Sequence, residues 1–429
     1  MVVMGGIIGA GIFMNPHVVA QRVHSPVLIL GVWVFGGVVA LLGAFIYAEL
    51  ADRMPAVGGQ YAYLREAIHP AAGFLYGWVL LLVVQSGGMA AVTVTFARYF
   101  LELTGWGVDE RWVVVVTLAV LTAVNCLGVK PGTRLQSVLM VLKIAAIGCL
   151  VVAGLFFAHD PKPLMHPVLD RAPGIDLITA IGAAMVPVLF SYGGWQTTNF
   201  IAAEIREPRR NLVRALIFGV VGVIVLYLLV SLVCVRVLGA EGLAETVVPA
   251  SAVMRLVAGE AGAKLIALGI AISTIGFLSQ SILTAPRVYF AMAGDGLFFK
   301  RIAQVSARTQ APVAAIVMQT GFALVIAFTG RYEQILNFMI PIDFLFFGLS
   351  ATCVFVFRSR DRKDAPSDPG FRVPWHPWTT IVFVAACWLV VLNTLIKYPE
   401  NSSVGVGILL LGLPVYAYWA RRRRQEGAR

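Results

Sequence analysis

Charge is scarce in this sequence of 429 residues. Only 13% of the residues are charged, whereas 59% are hydrophobic, and the mean hydropathy is +0.84. Soluble domains carry roughly 25% charged residues, and a single hydrophobic core stops growing at about 250–300 residues. The composition therefore excludes one soluble core. It indicates long apolar runs, and a run of about 18 or more residues is typical of a membrane-spanning helix.

Motifs for metals, disulfides and catalysis are also absent. No H-E-x-x-H, G-x-S-x-G or paired intramembrane aspartates occur, so an intramembrane enzyme is only a distant hypothesis. We expect no metal and no cofactor. Five cysteines lie inside apolar runs without C-x-x-C spacing and are interpreted as small buried hydrophobic residues: Cys126, Cys149, Cys234, Cys353 and Cys387.

The apolar runs predict an all-α membrane protein with twelve transmembrane helices. They lie at 1–24, 26–50, 70–101, 112–128, 135–157, 177–203, 212–235, 264–292, 312–329, 334–357, 377–396 and 404–420. The connections on one side, with the tail 421–429, hold 21 Lys and Arg, and those on the other side hold nine. By the positive-inside rule both termini are cytoplasmic in a multi-pass protein of the cell membrane. The net charge of +11 is therefore a topology signal, with no nucleic-acid partner, and the basic tail is expected to meet anionic lipid.

Two predicted spans carry glycine clusters. The first span has one within Gly5–Phe13, and the sixth span has one at Gly193-Gly194. Glycine weakens a helix, and a mid-membrane break is tolerated only beside protein or a polar cavity. Two breaks five helices apart predict an inverted 5+5 repeat with a central binding site, as in LeuT-like transporters. The predicted units are 1–157 (helices 1–5), 177–357 (helices 6–10), 377–420 (helices 11 and 12) and the basic tail 421–429.

The repeat predicts further matching features. The third and eighth spans are the longest, and each follows a connection long enough for a short helix, at Gly58–Leu64 and at Pro249–Val257. Backbone N–H groups at Gly9–Gly11, where a half-helix begins, suit an anionic group such as a carboxylate. Unwound carbonyls near Phe190–Gly193 suit a cationic group such as an ammonium. We therefore predict that the glycines of both breaks line one cavity.

Several motifs resemble those of the amino acid–polyamine–organocation (APC) superfamily. Gly9-Ala10-Gly11-Ile12-Phe13 is similar to the G-S/A-G-I-F signature of that superfamily. The L-type amino acid transporter branch has a similar signature in the sixth helix and the loop after it, here Ser191 to Trp195, Asn199-Phe200 and Glu204-x-x-Glu207-Pro208-Arg209-Arg210-Asn211-Leu212. The end of the eighth helix in the superfamily, with the loop after it, resembles Ala285–Tyr289 and Ala293–Gly296. The resemblance covers about residues 1–357. It implies a sodium-independent amino acid carrier that works by alternating access and has no enzymatic chemistry.

From the breaks and the resemblance together we predict a substrate site. Phe190 is the expected aromatic gate that limits substrate size, which predicts small or medium neutral amino acids; the alternative for the aromatic residues is packing within the bundle. Asp343, near the middle of the tenth span, is expected to bind an amine-bearing side chain, exchange a proton or hydrogen-bond structurally. The predicted substrate-binding residues are Ile8, Gly9, Ala10, Gly11, Ile12, Phe190, Ser191, Tyr192, Gly193, Trp195, Gln196 and Asp343.

Lys143 lies about 12 Å deep in the fifth span, at about 1.5 Å of rise per residue. An ionisable group at this depth is a functional candidate, although a lysine can also extend its ammonium to the membrane surface. In the family that the sequence resembles, a lysine here occupies the place of a bound sodium ion. We expect its ammonium near the carbonyls of Gly5–Gly9 or the hydroxyls of Ser273–Ser281.

Three departures from the family pattern leave alternatives open. The tenth span carries an acid, Asp343, where the animal members of the branch usually have a neutral residue. The first span begins only eight residues before its break, which is expected if the chain is truncated or its start is misassigned. The external loop 102–112 has no cysteine, so no disulfide-linked heavy subunit is expected. The predicted function is amino acid transport by exchange or uniport. The alternatives are a proton-coupled amino acid or polyamine symporter and a transporter-like sensor without transport.

Overall fold

The computed structural model describes residues 2–127, 129–205, 207–309, 311–329, 332–361, 370–397 and 399–427. These residues form sixteen α-helices and contain no strand. In chain order the helices are α1 (Val2–Ile7), α2 (Gly11–Ala20), α3 (Pro26–Arg53), α4 (Gln60–Ala67), α5 (Pro70–Val79), α6 (Gln85–Thr104), α7 (Glu110–Cys126), α8 (Val129–Phe156), α9 (Ile175–Tyr192), α10 (Pro208–Glu245), α11 (Pro249–Thr284), α12 (Pro286–Gly294), α13 (Val313–Thr329), α14 (Tyr332–Asp361), α15 (Trp378–Lys397) and α16 (Pro399–Gly427). A π-helical turn at Leu80–Val84 joins α5 to α6, and a 3₁₀ segment at Trp195–Glu204 follows α9.

Nine helical segments among the described residues are long and apolar enough to cross a membrane. They correspond to nine of the twelve predicted spans. The first predicted span is divided into the short helices α1 and α2, and the fourth and ninth correspond to α7 and α13, which have 17 residues each. The fold is thus that of an all-helical membrane protein, as the composition predicted.

Both connections expected to hold a short helix are helical. Helix α4 lies in the first connection. In the second, helix α11 begins at Pro249 and is interrupted at Gly259, whose φ of 66° only glycine adopts readily. The stretch before Gly259 is therefore a separate short helix that changes direction before the long span.

Helix α2 lies at the centre of the bundle, and all ten of its residues are buried. It packs against α9 and α10, while α1 packs against α10 and the 3₁₀ segment. The outer helices expose large apolar side chains, including Phe218, Ile178 and Ile396. Apolar surface of this extent suits contact with lipid rather than with water.

A buried ion cluster joins the end of α3 to the end of α14. The Glu49 carboxylate is fully buried and accepts two hydrogen bonds from Arg358, at 2.8 and 2.6 Å. Arg53 Nε donates to Glu49 at 2.9 Å, and the Val373 N–H donates at 2.7 Å. Arg53 also pairs with Asp361. No local pattern in the sequence predicts this cluster, because Glu49 and Arg53 lie more than 300 residues from Arg358 and Asp361.

Candidate functional site

The backbone leaves the helical conformation between Ile7 and Gly11. Helix α1 ends at Ile7 and α2 begins at Gly11. The first hydrogen bonds within α2 run from Phe13 and Met14 N–H to the Ala10 carbonyl, at 3.0 and 3.2 Å. The N–H groups that precede them, at Gly11 and at the end of the break, have no acceptor one turn earlier. They form the positive end of the α2 dipole.

A second break follows α9. Helix α9 ends at Tyr192, Gly193 is extended, and Gly194 has a φ of 105°. The Gly194 N–H donates to Gln196 Oε1 at 2.9 Å, and Thr197 Oγ1 donates to the Gly194 carbonyl at 2.7 Å. The side chain of Gln196 therefore holds the shape of the break, which is a local use that the sequence analysis did not foresee.

The two breaks lie against each other. A Cβ atom at Gly6 would lie 2.9 Å from the Gly194 carbonyl oxygen, and one at Gly11 would lie 2.8 Å from Ser191 Cα. Asn15 Nδ2 adds a polar tie, since it donates to the Pro187 carbonyl and to Ser191 Oγ, each at 2.8 Å. Only glycine permits backbones to approach this closely.

One cavity lies between the breaks. It is lined by Gly6, Ile7, Gly9, Ala10, Gly11, Val84, Gln85, Gly88, Val92, Leu189, Phe190, Ser191, Gly193, Gly194, Gln196, Thr197, Phe277, Gln280, Ser281, Met339, Ile340 and Asp343. Its volume is about 60 Å³. A water molecule needs about 10–15 Å³ on this measure, so the cavity has room for about four to six water-sized groups.

Eight of the twelve predicted substrate-binding residues line this cavity: Gly9, Ala10, Gly11, Phe190, Ser191, Gly193, Gln196 and Asp343. The other four do not. Ile8 and Ile12 are buried in the main core cluster. The Tyr192 hydroxyl donates to the Trp33 carbonyl at 3.2 Å. Trp195 packs on Tyr47, with 4.7 Å between ring centroids.

Two half-buried aromatic rings line the cavity. Phe190 comes from the last turn of α9, and Phe277 comes from the C-terminal third of α11. A Cβ atom at Gly9 would lie 3.1 Å from the Phe277 ring, so this ring rests against the first break. Phe277 was missed because nothing in the local sequence separates it from the packing aromatics of a membrane helix.

Lys143 lies beside the first break and is only 1% exposed. Its Nζ donates to the Ile8 carbonyl at 2.6 Å and reaches the Gly5 carbonyl at 3.5 Å. A Cβ atom at Gly276 on α11 would lie 3.3 Å from Lys143 Cε. The ammonium therefore lies at the negative, C-terminal end of α1. It bonds carbonyls rather than hydroxyls, since Ser273 Oγ has no partner among the described residues.

Tyr227 completes the end of α1. Its hydroxyl donates to the Ile7 carbonyl at 3.0 Å. A helix end leaves carbonyls free, and those of Gly5, Ile7 and Ile8 are here bonded by one ammonium and one hydroxyl. Sequence reasoning missed Tyr227, because its position in the long helix α10 gives no local sign of what it faces.

Two further polar side chains, from α14 and α6, line the cavity. Asp343 on α14 is 8% exposed, and its Oδ1 has no hydrogen-bond partner in the described part of the chain. Gln85, which is 7% exposed, is the first residue of α6 after the π-helical turn. π-Helical turns are frequent at functional sites. Within the residues that the structure describes, no group of three or more His, Cys, Asp and Glu is placed to hold a metal ion.

The chain is similar to amino acid permeases over almost its whole length. A sequence model of the family described as amino acid permease matches residues 1–418. The serine/threonine exchanger SteT of Bacillus subtilis (strain 168) is 29% identical over 428 residues, which cover 98% of this chain and 95% of that protein. The human large neutral amino acids transporter small subunit 2 is 27% identical over 437 residues, with 98% and 79% covered.

The human cystine/glutamate transporter is 26% identical over 421 residues, which cover 97% of this chain and 82% of that protein. The relatives are exchangers and transporters of amino acids, and they confirm the family inferred from the glycine motifs. The chain belongs to the amino acid permease family, and it resembles the L-type amino acid transporter branch of that family.

Proposed function

We propose that this permease exchanges small neutral amino acids across the cell membrane without sodium, at the cavity between its two helix breaks. The observation that carries the proposal is the convergence of both breaks on one cavity. In this proposal, free N–H groups at the start of α2 donate hydrogen bonds to the substrate carboxylate. The carbonyls of Leu189 and Phe190, at the end of α9, are matched to its ammonium.

Lys143 replaces a bound cation in this proposal. Sodium coupling requires a site where carbonyl and hydroxyl oxygens surround the ion. At the end of α1 the Lys143 ammonium already supplies a positive charge to the carbonyls of Ile8 and Gly5. The substrate then binds the N–H groups at the start of α2, while Lys143 binds the carbonyls at the end of α1. Both sides of the first break are thus bonded, and the substrate can be enclosed without a bound ion.

The size of the cavity supports small substrates. Alanine, serine and threonine have about six to eight non-hydrogen atoms, close to the four to six water-sized groups that the cavity admits. Phe190 and Phe277 are proposed to close over the substrate. The name of the serine/threonine exchanger from Bacillus subtilis, at 29% identity, supports the same size class. Gln196, Ser191 and Asp343 complete the proposed polar contacts.

The finer architecture is part of the proposal. We assign two inverted five-helix units around α1–α2 and α9, with α15 and α16 outside the repeat and both termini cytoplasmic. The matching breaks, the matching short helices before the long spans and the basic residue excess on one side support it. The absence of cysteine from loop 102–112 supports a carrier that forms no disulfide with a partner subunit.

The experiment is a panel of radiolabelled amino acids presented to proteoliposomes that contain the purified protein. Small neutral amino acids should be taken up rapidly when the vesicles hold unlabelled substrate, and slowly when they are empty. Uptake driven by an inward proton gradient into empty vesicles would favour the proton-coupled alternative, for which the buried Asp343 is the candidate carrier. Binding without flux of any amino acid would indicate a sensor.

A further inference from the structure

The cavity has a polar wall that the amino and carboxyl groups of a substrate do not use. The groups proposed to bind them lie on α2 and α9, whereas Gln85 and Asp343 line the cavity from α6 and α14. The apolar residues around this pair include Val84, Met339 and Ile340. A substrate held by its backbone groups would present its side chain to Gln85 and Asp343 if that side chain turned toward α6 and α14.

The backbone is arranged to present these two side chains. The π-helical turn Leu80–Val84 ends immediately before Gln85, and its extra residue shifts the direction in which the next side chains point. Pro341 lies two residues before Asp343 within α14, where its ring interrupts the helical hydrogen bonding. Two local irregularities thus flank the same wall of the cavity.

Asp343 has an unmet hydrogen-bonding need. It is 8% exposed, and its Oδ1 is without a partner among the described residues. Burying a carboxyl oxygen without a donor is unfavourable. An apolar substrate side chain would leave Asp343 Oδ1 without a hydrogen bond, whereas a side chain with a donor group would supply one.

The pair fits a hydroxyl better than it fits a cation. A carboxylate only accepts hydrogen bonds, while the primary amide of glutamine both donates and accepts. A hydroxyl also does both, so it donates to Asp343 and accepts from the Gln85 amide. An ammonium or guanidinium only donates, so it can bond the Gln85 amide oxygen but leaves the amide N–H groups without an acceptor. Long cationic side chains also exceed a cavity of about 60 Å³.

We propose that Gln85 and Asp343 form a hydroxyl-recognition pair that makes this permease selective for small hydroxy amino acids over apolar ones of the same shape. This inference rests on the proposed function, because it concerns the side chain of a substrate bound at the same cavity. The pair determines specificity. The common amino acid contacts on α2 and α9 determine transport itself.

The test uses threonine and valine, which have the same shape and differ by a hydroxyl and a methyl group. Each is used to inhibit uptake of labelled L-alanine into proteoliposomes. In the wild type, threonine should inhibit at a concentration at least about 10-fold lower than valine. Asp343→Leu should bring the inhibitory concentrations of threonine and valine to within about two-fold of each other, and Gln85→Met should reduce the difference between them. Asp343→Asn, which keeps the shape of the side chain and one acceptor oxygen, should retain part of the preference for threonine.

Alanine uptake is the internal control, because alanine does not reach the pair. It should persist in the surface variant Asp176→Asn, which changes an exposed carboxylate outside the cavity. Equal inhibition by threonine and valine in an active wild type would overturn the proposal, as would an unchanged preference in Asp343→Leu. Stronger inhibition by lysine or ornithine than by threonine, or loss of proton-driven uptake in Asp343→Asn, would assign the carboxylate another role. If the wild type takes up no alanine at all, it is the proposed function that fails.

Discussion

At the scale of single residues, the sequence predicted the positions that depend on backbone chemistry. Gly9, Gly11 and Gly193 line the cavity, which lies between the two helix breaks. Glycine lets the backbone leave the helical conformation, so glycine clusters in the sequence indicate where the breaks are. Tyr192 and Trp195 were less predictable. They flank the same break, but successive residues point in different directions, so these two rings face the scaffold at Trp33 and Tyr47.

Of the two polar residues on the wall formed by α6 and α14, the sequence predicted Asp343 but not Gln85. Gln85 lies in an apolar run, and its direction depends on a π-helical turn that no local residue marks. Phe277 likewise resembles any aromatic residue that packs in a membrane helix. Lys143 was predictable because an ammonium at that depth has few stable surroundings other than helix-end carbonyls.

The first prediction concerns Lys143. Lys143→Ala removes the donor to the Ile8 and Gly5 carbonyls, which leaves buried acceptors unpaired at about 1–3 kcal/mol. Initial uptake of labelled serine should fall by at least about 10-fold, with a smaller effect on the melting temperature in detergent. Lys264→Ala, which alters an exposed lysine, is the control. A Lys143→Ala protein as active as this control would refute the assigned role.

At the scale of helices, close approach between α2 and α9 is the main requirement of the site. A Cβ atom at Gly11 would lie 2.7 Å from Ser191 Oγ and 2.8 Å from Ser191 Cα. The backbone atom cannot move aside as the end of a flexible side chain can. The two broken segments must therefore shift apart if this glycine is replaced.

The second prediction follows from that contact. Gly11→Ala should reduce serine uptake by at least about 10-fold, because overpacking of this kind is unfavourable by about 1–3 kcal/mol and moves the substrate-binding N–H groups. Gly31→Ala is the matched control, since a Cβ atom there meets no other atom within 4 Å. Uptake by both variants at the wild-type rate would show that the breaks do not need to touch.

The ion cluster at the ends of α3 and α14 gives the third prediction. Glu49→Gln leaves Arg358 and Arg53 without their buried carboxylate, which is unfavourable by about 3–5 kcal/mol. The melting temperature in detergent should fall by about 3–10 °C. Glu260→Gln, at an exposed ion pair with Arg255, should change it little.

A paired variant separates charge imbalance from packing. Because the loss comes mainly from uncompensated arginine charge, Glu49→Gln with Arg358→Gln should be more stable than Glu49→Gln alone. A double variant that melts below the single variant would mean that the contact geometry, and not the buried charge, holds the helices together.

At the scale of the whole molecule, composition alone predicted an all-helical membrane protein. The two glycine clusters, which predict helix breaks, also predicted where the cavity lies. The limit of the sequence was the pairing of distant parts, such as Glu49 with Arg358 and Asn15 with Ser191. These contacts join segments more than 170 residues apart, and the local sequence around one residue does not indicate which distant residue it contacts.

The fourth prediction tests the central claim, that Lys143 makes the amino acid exchange independent of sodium. Uptake of labelled L-serine is measured in proteoliposomes loaded with unlabelled L-serine, first in sodium chloride and then in choline chloride. The account predicts initial rates that agree within about two-fold, because the ammonium at the end of α1 already supplies the positive charge. Uptake that collapses in choline chloride and is restored by added sodium would contradict it.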